Sequence, residues 1–190
     1  MPLLIYTFGV VRWARAELSR LDEATRKIMA KHRSHHPRAS TQRLYMSRGR
    51  GGRGLLGVTT MHDRTIILFS LTIARSNDQL HNIIKSHEIG GNNAFLFKAA
   101  SDIFEEMDMK VELKNPRNLQ ISPAELKKQR KAFEQTQLEK AHLQKPLHGK
   151  FLRLLNEKGY SKRQSLRFLS AAGLKMSARN LCSWLNFRLR

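Results

Sequence analysis

The chain has 190 residues, 41% hydrophobic and 26% charged, a balance that supports a folded core and excludes wholesale disorder. With 35 Lys and Arg against 15 Asp and Glu the net charge is +20, so nucleic acid is the first partner to expect, because each neutralised phosphate releases a counterion. A lone cysteine, Cys182, excludes an internal disulfide framework and a cysteine-based zinc site, and fits an intracellular compartment, nuclear or cytoplasmic.

The apolar run Leu3 to Val11 is too short to span a bilayer and lacks the basic flank and cleavage site of a signal peptide. It reads as a buried segment that starts mid-domain. Leu18, Leu21, Thr25, Ile28 and His32 then recur at helical spacing, and His36-Pro37 ends that helix. Residues 47–58 form a glycine-rich loop, after which Thr60-x-x-Asp63 is the expected cap of the next helix. Thr65 to Ala74 is β-branched and nearly continuously apolar. Periodicity alone does not separate strand from helix there, but no second strand candidate exists to pair with it, so a helix is expected. Two more helices are expected over 78–89 and 93–109, separated by Gly90-Gly91. Ser122-Pro123-x-Glu125 marks the start of a long polar helix that Pro146 stops. Ser161-x-x-Gln164 opens a further helix that Gly173 ends, and a last helix runs from Ser177. The expectation is an all-α assembly of about six to eight helices.

Charge divides the chain unevenly. Residues 1–64 hold 13 basic and 4 acidic side chains, residues 65–112 hold 4 and 7, and residues 113–190 hold 18 and 4. Two regions are expected, 1–112 and a basic 113–190. No segment joins these cations to an amphipathic face rich in Trp and Leu, so no membrane partner is expected.

Two motifs suggest phosphate contact. Arg48, Arg50 and Arg53 alternate with glycines, which lets a backbone approach a ligand while guanidinium forks meet phosphate. A single copy of such a tract equally fits a structural turn whose glycines take positive φ. Lys127, Lys128, Arg130 and Lys131 cluster on the long helix, as a phosphate-contacting or a merely solvated face. His32, His35 and His36 have partial ligand spacing, but Lys31, Arg33 and Arg38 would repel a cation, so no metal is expected. Asp22, Asp63, Asp78, Asp102 and Asp108 are isolated, which leaves no carboxylate pair for two-metal chemistry. No nucleotide-cofactor loop or nucleophile elbow is present, so no cofactor and no catalysis are expected.

In order along the chain, Pro2, Leu4, Tyr6, Phe8-Gly9, Trp13, Leu21-Asp22, His36-Pro37, Arg43-Leu44-Tyr45, Arg48 and Gly51-Gly52-Arg53-Gly54-Leu55 resemble the stretch just downstream of the palm in non-LTR retrotransposon reverse transcriptases. Lys145-Pro146-Leu147-His148-Gly149-Lys150-Phe151 and Phe168-Leu169-x-x-Ala172-Gly173-Leu174-Lys175 resemble the linker beyond. The resemblance implies a thumb-like region at 1–112 and a linker-like region at 113–190, both without the catalytic residues of the parent polymerase. It implies a truncated piece of a Pol polyprotein that binds RNA or an RNA–DNA duplex and docks on an upstream reverse transcriptase polypeptide. The same composition also fits a helical protein-interaction module or a retroelement remnant without function.

Overall fold

A computed structural model describes residues 2–91, 94–109, 111, 113, 122–161 and 166. Among them the chain is all-α. The helices are α1 (Pro2–Phe8), α2 (Arg15–Lys31), α3 (Thr41–Tyr45), α4 (Val58–Arg75), α5 (Gln79–Gly90), α6 (Leu96–Glu106), α7 (Pro123–Leu143) and α8 (Lys150–Glu157), with one 3-10 turn at Arg48–Arg50. The helix start read at Ser161 and the last helix from Ser177 lie outside the described residues, apart from Ser161 itself.

The chain forms two compact units that are not consecutive in sequence: Met1–Met29 with Gly57–Phe133, and Ala30–Leu56 with Glu134–Arg190. The 112/113 boundary expected from charge falls within the second segment of the first unit.

The first unit is organised around α4, which packs against α1, α5 and α6. Its buried positions include Val58, His62, Ile66, Ile67, Leu71, Ile73 and Ala74, so it is covered nearly all round. That explains the continuous apolar run of residues 65–74: a helix enclosed on most sides has no polar stripe, and its backbone is satisfied within itself. Leu96, Phe97, Ala100, Ile103 and Phe104 on α6 complete the main core. A second cluster forms where Phe8, Leu18 and Val58 meet, with Trp13 and Leu21 against it.

The expected cap at Thr60 is corrected by the structure. Helix α4 starts at Val58, and its first N–H groups are capped from another helix. Asp22 on α2 accepts from the Val58 N–H at 2.7 Å, the Thr59 N–H at 3.3 Å and the Thr59 hydroxyl at 3.1 Å. A carboxylate there satisfies orphan donors and sits at the positive end of the helix dipole, which adds a half-turn before Thr60. Asp63 is freed from capping and turns inward. The Ser122 start is as expected, with Glu125 N–H donating to Ser122 Oγ at 3.1 Å.

Among the described residues the second unit has a smaller apolar centre, Met46, Leu152, Leu155 and Leu166, with Leu138, Leu143 and Phe151 against it. The stretch 37–58 is more ordered than its glycine content suggests, since it holds α3 and the 3-10 turn. Helix α8 carries Leu152 and Leu155 inward. From within α8 the Arg153 guanidinium reaches back to donate to the carbonyls of Leu143, Lys145 and Pro146 at 2.6, 2.9 and 2.5 Å, closing the C-terminal end of α7.

Candidate nucleic-acid interface

The arginine–glycine segment folds into a tight turn on α3. Gly52 N–H donates to the Ser47 carbonyl at 3.0 Å, Arg53 N–H to Arg43 at 2.9 Å, Gly54 N–H to Met46 at 2.8 Å and Leu55 N–H to Leu44 at 3.0 Å. Gly51 and Gly54 have φ of +89° and +75°, the left-handed region that favours glycine. At Gly52 the reason is space: a Cβ there would lie 2.0 Å from the Met46 carbonyl oxygen. The glycines therefore serve the turn itself. Its arginines diverge. Arg48 is exposed. Arg50 is half-buried, reaching Glu139 at 3.1 Å and the Thr136 hydroxyl at 3.3 Å. Arg53 is exposed and donates to the Ser34 carbonyl.

The basic stretch of α7 splits by helical geometry. Leu126 and Arg130, one turn apart, face inward, whereas Lys127, Lys128 and Lys131 are exposed. The Arg130 guanidinium donates to Asp63 at 2.8 Å and to Glu106 at 3.1 Å, and lies 5.7 Å from the Phe133 ring centre. It is a structural ion-pair residue and drops out of the exposed set. The remaining cations of the two motifs lie in different units, Arg48, Arg50 and Arg53 in one and Lys127, Lys128 and Lys131 in the other.

Asp63 is the centre of the buried charge. Only 2% of its side chain is exposed, and it binds Arg130 through one oxygen and Arg15 through the other, at 2.7 Å. His62 Nδ1 is 3.2 Å from the same oxygen as Arg15 and must carry its proton there to donate. Burial pushes the Asp63 carboxyl up, but hydrogen bonds from His62 and Arg15 and the charges of Arg15 and Arg130 outweigh it and hold the pKa below the usual carboxylate value. The carboxylate thus stays ionised and pins Arg15, whose side chain is 55% exposed.

Arg15 opens onto a cleft of about 650 Å³ on the first unit, lined among others by Arg12, Trp13, His62, Phe95, Lys98 and Asp102. Arg12 and Lys98 are exposed. Trp13 is half-buried and fixed twice: its Nε1 donates to Thr7 Oγ1 at 3.2 Å, and its ring meets Phe8 at 6.2 Å and 86°. Phe8 in turn meets the His62 ring at 5.2 Å. Sequence reasoning did not assign these cations. The available signal was the tetrapeptide Arg12-Trp13-Ala14-Arg15, an aromatic between two cations at a helix start. The contribution of Lys98 depends on tertiary packing.

Among the described residues no group of three or more His, Cys, Asp or Glu is placed to hold a metal ion. In the histidine cluster His35 is buried, whereas His32 and His36 are exposed and His36 Nδ1 accepts from the Arg38 N–H at 3.2 Å. No described helix is long and apolar enough to cross a membrane. No family model, curated protein or solved structure matches the chain.

Proposed function

We propose that the protein binds nucleic acid through its phosphates, as an accessory module that grips RNA or an RNA–DNA duplex and performs no catalytic step itself. The observation that carries this is stoichiometric. Fifteen carboxylates cannot neutralise 35 cations however they pair, and some of them are already engaged with Arg15, Lys27, Arg50 and Arg130. The excess charge stands on side chains such as Lys127, Lys128, Lys131, Arg48 and Arg53, which are exposed. The ordered motif resemblance supports a place beside a reverse transcriptase palm, on a retroelement-type Pol polypeptide.

The test is the salt dependence of binding to a labelled RNA–DNA duplex. Affinity should fall steeply with salt, by a slope of about 0.9 per phosphate contacted. Replacing Lys127, Lys128 and Lys131 with glutamine should flatten that slope by roughly 2–3. A slope near zero overturns the reading.

A second reading rests on α5, which has no buried residue and exposes Leu80 and Ile83 one turn apart on one face. That face suits docking on a protein partner. Association through it would be nearly indifferent to salt, so the same titration separates the two.

A further inference from the structure

The cleft on the first unit joins an apolar and aromatic lining to a cationic rim. Ile66, Phe95, Ala99 and Ile103 line it together with Trp13, and Arg12, Arg15 and Lys98 supply three cations against the single carboxylate of Asp102. Its volume, about 650 Å³, lies in the roughly 300–1,000 Å³ range of sites that hold one small group. We propose that this cleft takes one unpaired nucleotide of a nucleic-acid strand, with its base stacked on Trp13 and its phosphate on Arg12, Arg15 and Lys98.

Three observations carry the assignment. Trp13 cannot swing freely, since Thr7 holds its indole nitrogen and Phe8 holds its ring, and a fixed ring is a stacking platform that costs little entropy to use. Arg15 is positioned by the buried, ionised Asp63, which engages one side of the guanidinium and leaves further N–H donors for a phosphate. Counting the Asp63 carboxylate paired with Arg15, the three cations stand against two carboxylates, an excess that favours an anion over a metal ion or a cationic ligand. A strand is favoured over a free nucleotide because the chain carries +20 overall, so phosphates flanking the seated one add counterion release that a mononucleotide lacks. The inference rests on the nucleic-acid reading and refines it.

The experiment is a titration of the full chain by tryptophan fluorescence with three probes: an eight-residue oligouridylate, a blunt RNA–DNA duplex and uridine monophosphate. The oligouridylate should quench emission at lower concentration than the monophosphate and more strongly than the duplex. Trp13→Phe should remove most of that quenching. The double variant Arg12→Ala/Lys98→Ala, both at exposed positions, should keep wild-type helicity by circular dichroism. It should lower affinity for the strand about tenfold and for the duplex by less, with the strand's salt slope falling by about 1.4 for two lost contacts. If the double variant binds the strand as wild type does, or Trp13→Phe keeps the full quench, the cleft is not the site. Duplex binding without strand-dependent quenching overturns the cleft and spares the phosphate reading. Binding of no probe at low salt overturns both, and saturation by the monophosphate at the strand's concentration overturns the choice of a strand.

Discussion

The two units accommodate buried polar groups in opposite ways. In the first, Asp63, Arg130 and the tethered Arg15 sit beside a large apolar core built on α4 and α6. In the second, the apolar centre among the described residues is small and polar ties close it. Gln135 accepts from the Ser47 N–H at 2.6 Å and donates to the Tyr45 carbonyl at 3.4 Å, Arg153 holds three carbonyls, and buried His142 meets the Ser40 hydroxyl at 2.9 Å. Where burial of many side chains at about 1.5–3 kcal/mol each holds a fold, an ionic node is a matter of specificity and of the penalty for breaking it. Where few side chains are buried, single hydrogen bonds and single glycines carry a larger share.

The largest test strands a charge. Asp63→Ala takes from the buried Arg130 guanidinium the carboxylate that is itself buried, while the half-exposed Glu106 stays among its partners. A loss of about 3 kcal/mol is expected in chemical denaturation, within the range for breaking a buried pair. The double variant Asp63→Ala/Arg130→Met should recover most of it, because the cost belongs to the buried cation that has lost its buried counter-charge. If Asp63→Ala unfolds at the wild-type denaturant concentration, the node contributes nothing and the contrast between the units fails on this side.

Next comes the glycine turn. Gly52→Ala would drive a Cβ to 2.0 Å from the Met46 carbonyl oxygen, a backbone contact that no rotamer relieves. The expected cost is about 2–3 kcal/mol, the upper part of the overpacking range. Hydrogen exchange should register it at the amides of Gly54 and Leu55, which close on Met46 and Leu44, before the amides of α4 respond. At Gly49, where an added Cβ meets nothing within 4 Å, alanine should be neutral, so the pair of variants separates crowding from glycine content.

The all-α architecture was legible because its signals are local. The proline and serine at the start of α7 and the periodicity of α2 need no knowledge of distant residues. The buried run of α4 was legible by elimination, since a strand without a partner leaves its backbone unsatisfied. What stayed hidden was long-range. The cap of α4 comes from Asp22, 36 residues earlier, and no pattern around Thr60 reports it. Helix α8 escaped notice because eight residues after a proline–glycine stretch offer only two buried leucines. In the basic cluster of α7 the side chains look alike in sequence, and only the presence of Asp63 and Glu106 draws Arg130 inward.

A smaller effect is expected from Asp22→Ala. It removes the acceptor for two N–H groups and the Thr59 hydroxyl at the start of α4. A loss of about 1–2 kcal/mol follows from cap substitutions elsewhere. Asp22→Asn, which keeps an acceptor without the charge, should lose less, and the loss that remains in it measures the helix-dipole share. Equal losses would assign the whole effect to the charge, and no loss in Asp22→Asn would assign it to the hydrogen bonds.

The finest distinction between the units is their response to pH. His142 is buried in the second unit, and its pKa is lowered below the usual imidazole value by burial, then by the charges of Arg43, His148 and Lys145, with a backbone hydrogen bond at His148 opposing them. Its neutral ring meets Ser40, whose hydroxyl donates to Gln42 Oε1 at 3.1 Å, so the tautomer with the proton on Nδ1 lets the imidazole donate to that hydroxyl and both bonds form together. With the folded pKa below the unfolded one, the unfolded chain binds the proton more tightly. The stabilisation is complete above the unfolded imidazole pKa, 6.5, and is lost as pH falls from there through the folded value. Asp63 in the first unit follows the same sign in a more acid window, below its ordinary value of 3.8. Relative to the intrinsic exchange rate at each pH, protection of Gly54 and Leu55 should therefore fall between pH 7 and 5 while protection in the middle of α4 holds. His142→Gln should flatten the first response and leave the acid response of α4 in place. A parallel loss of protection in both units between pH 7 and 5 would show that His142 is not what separates them.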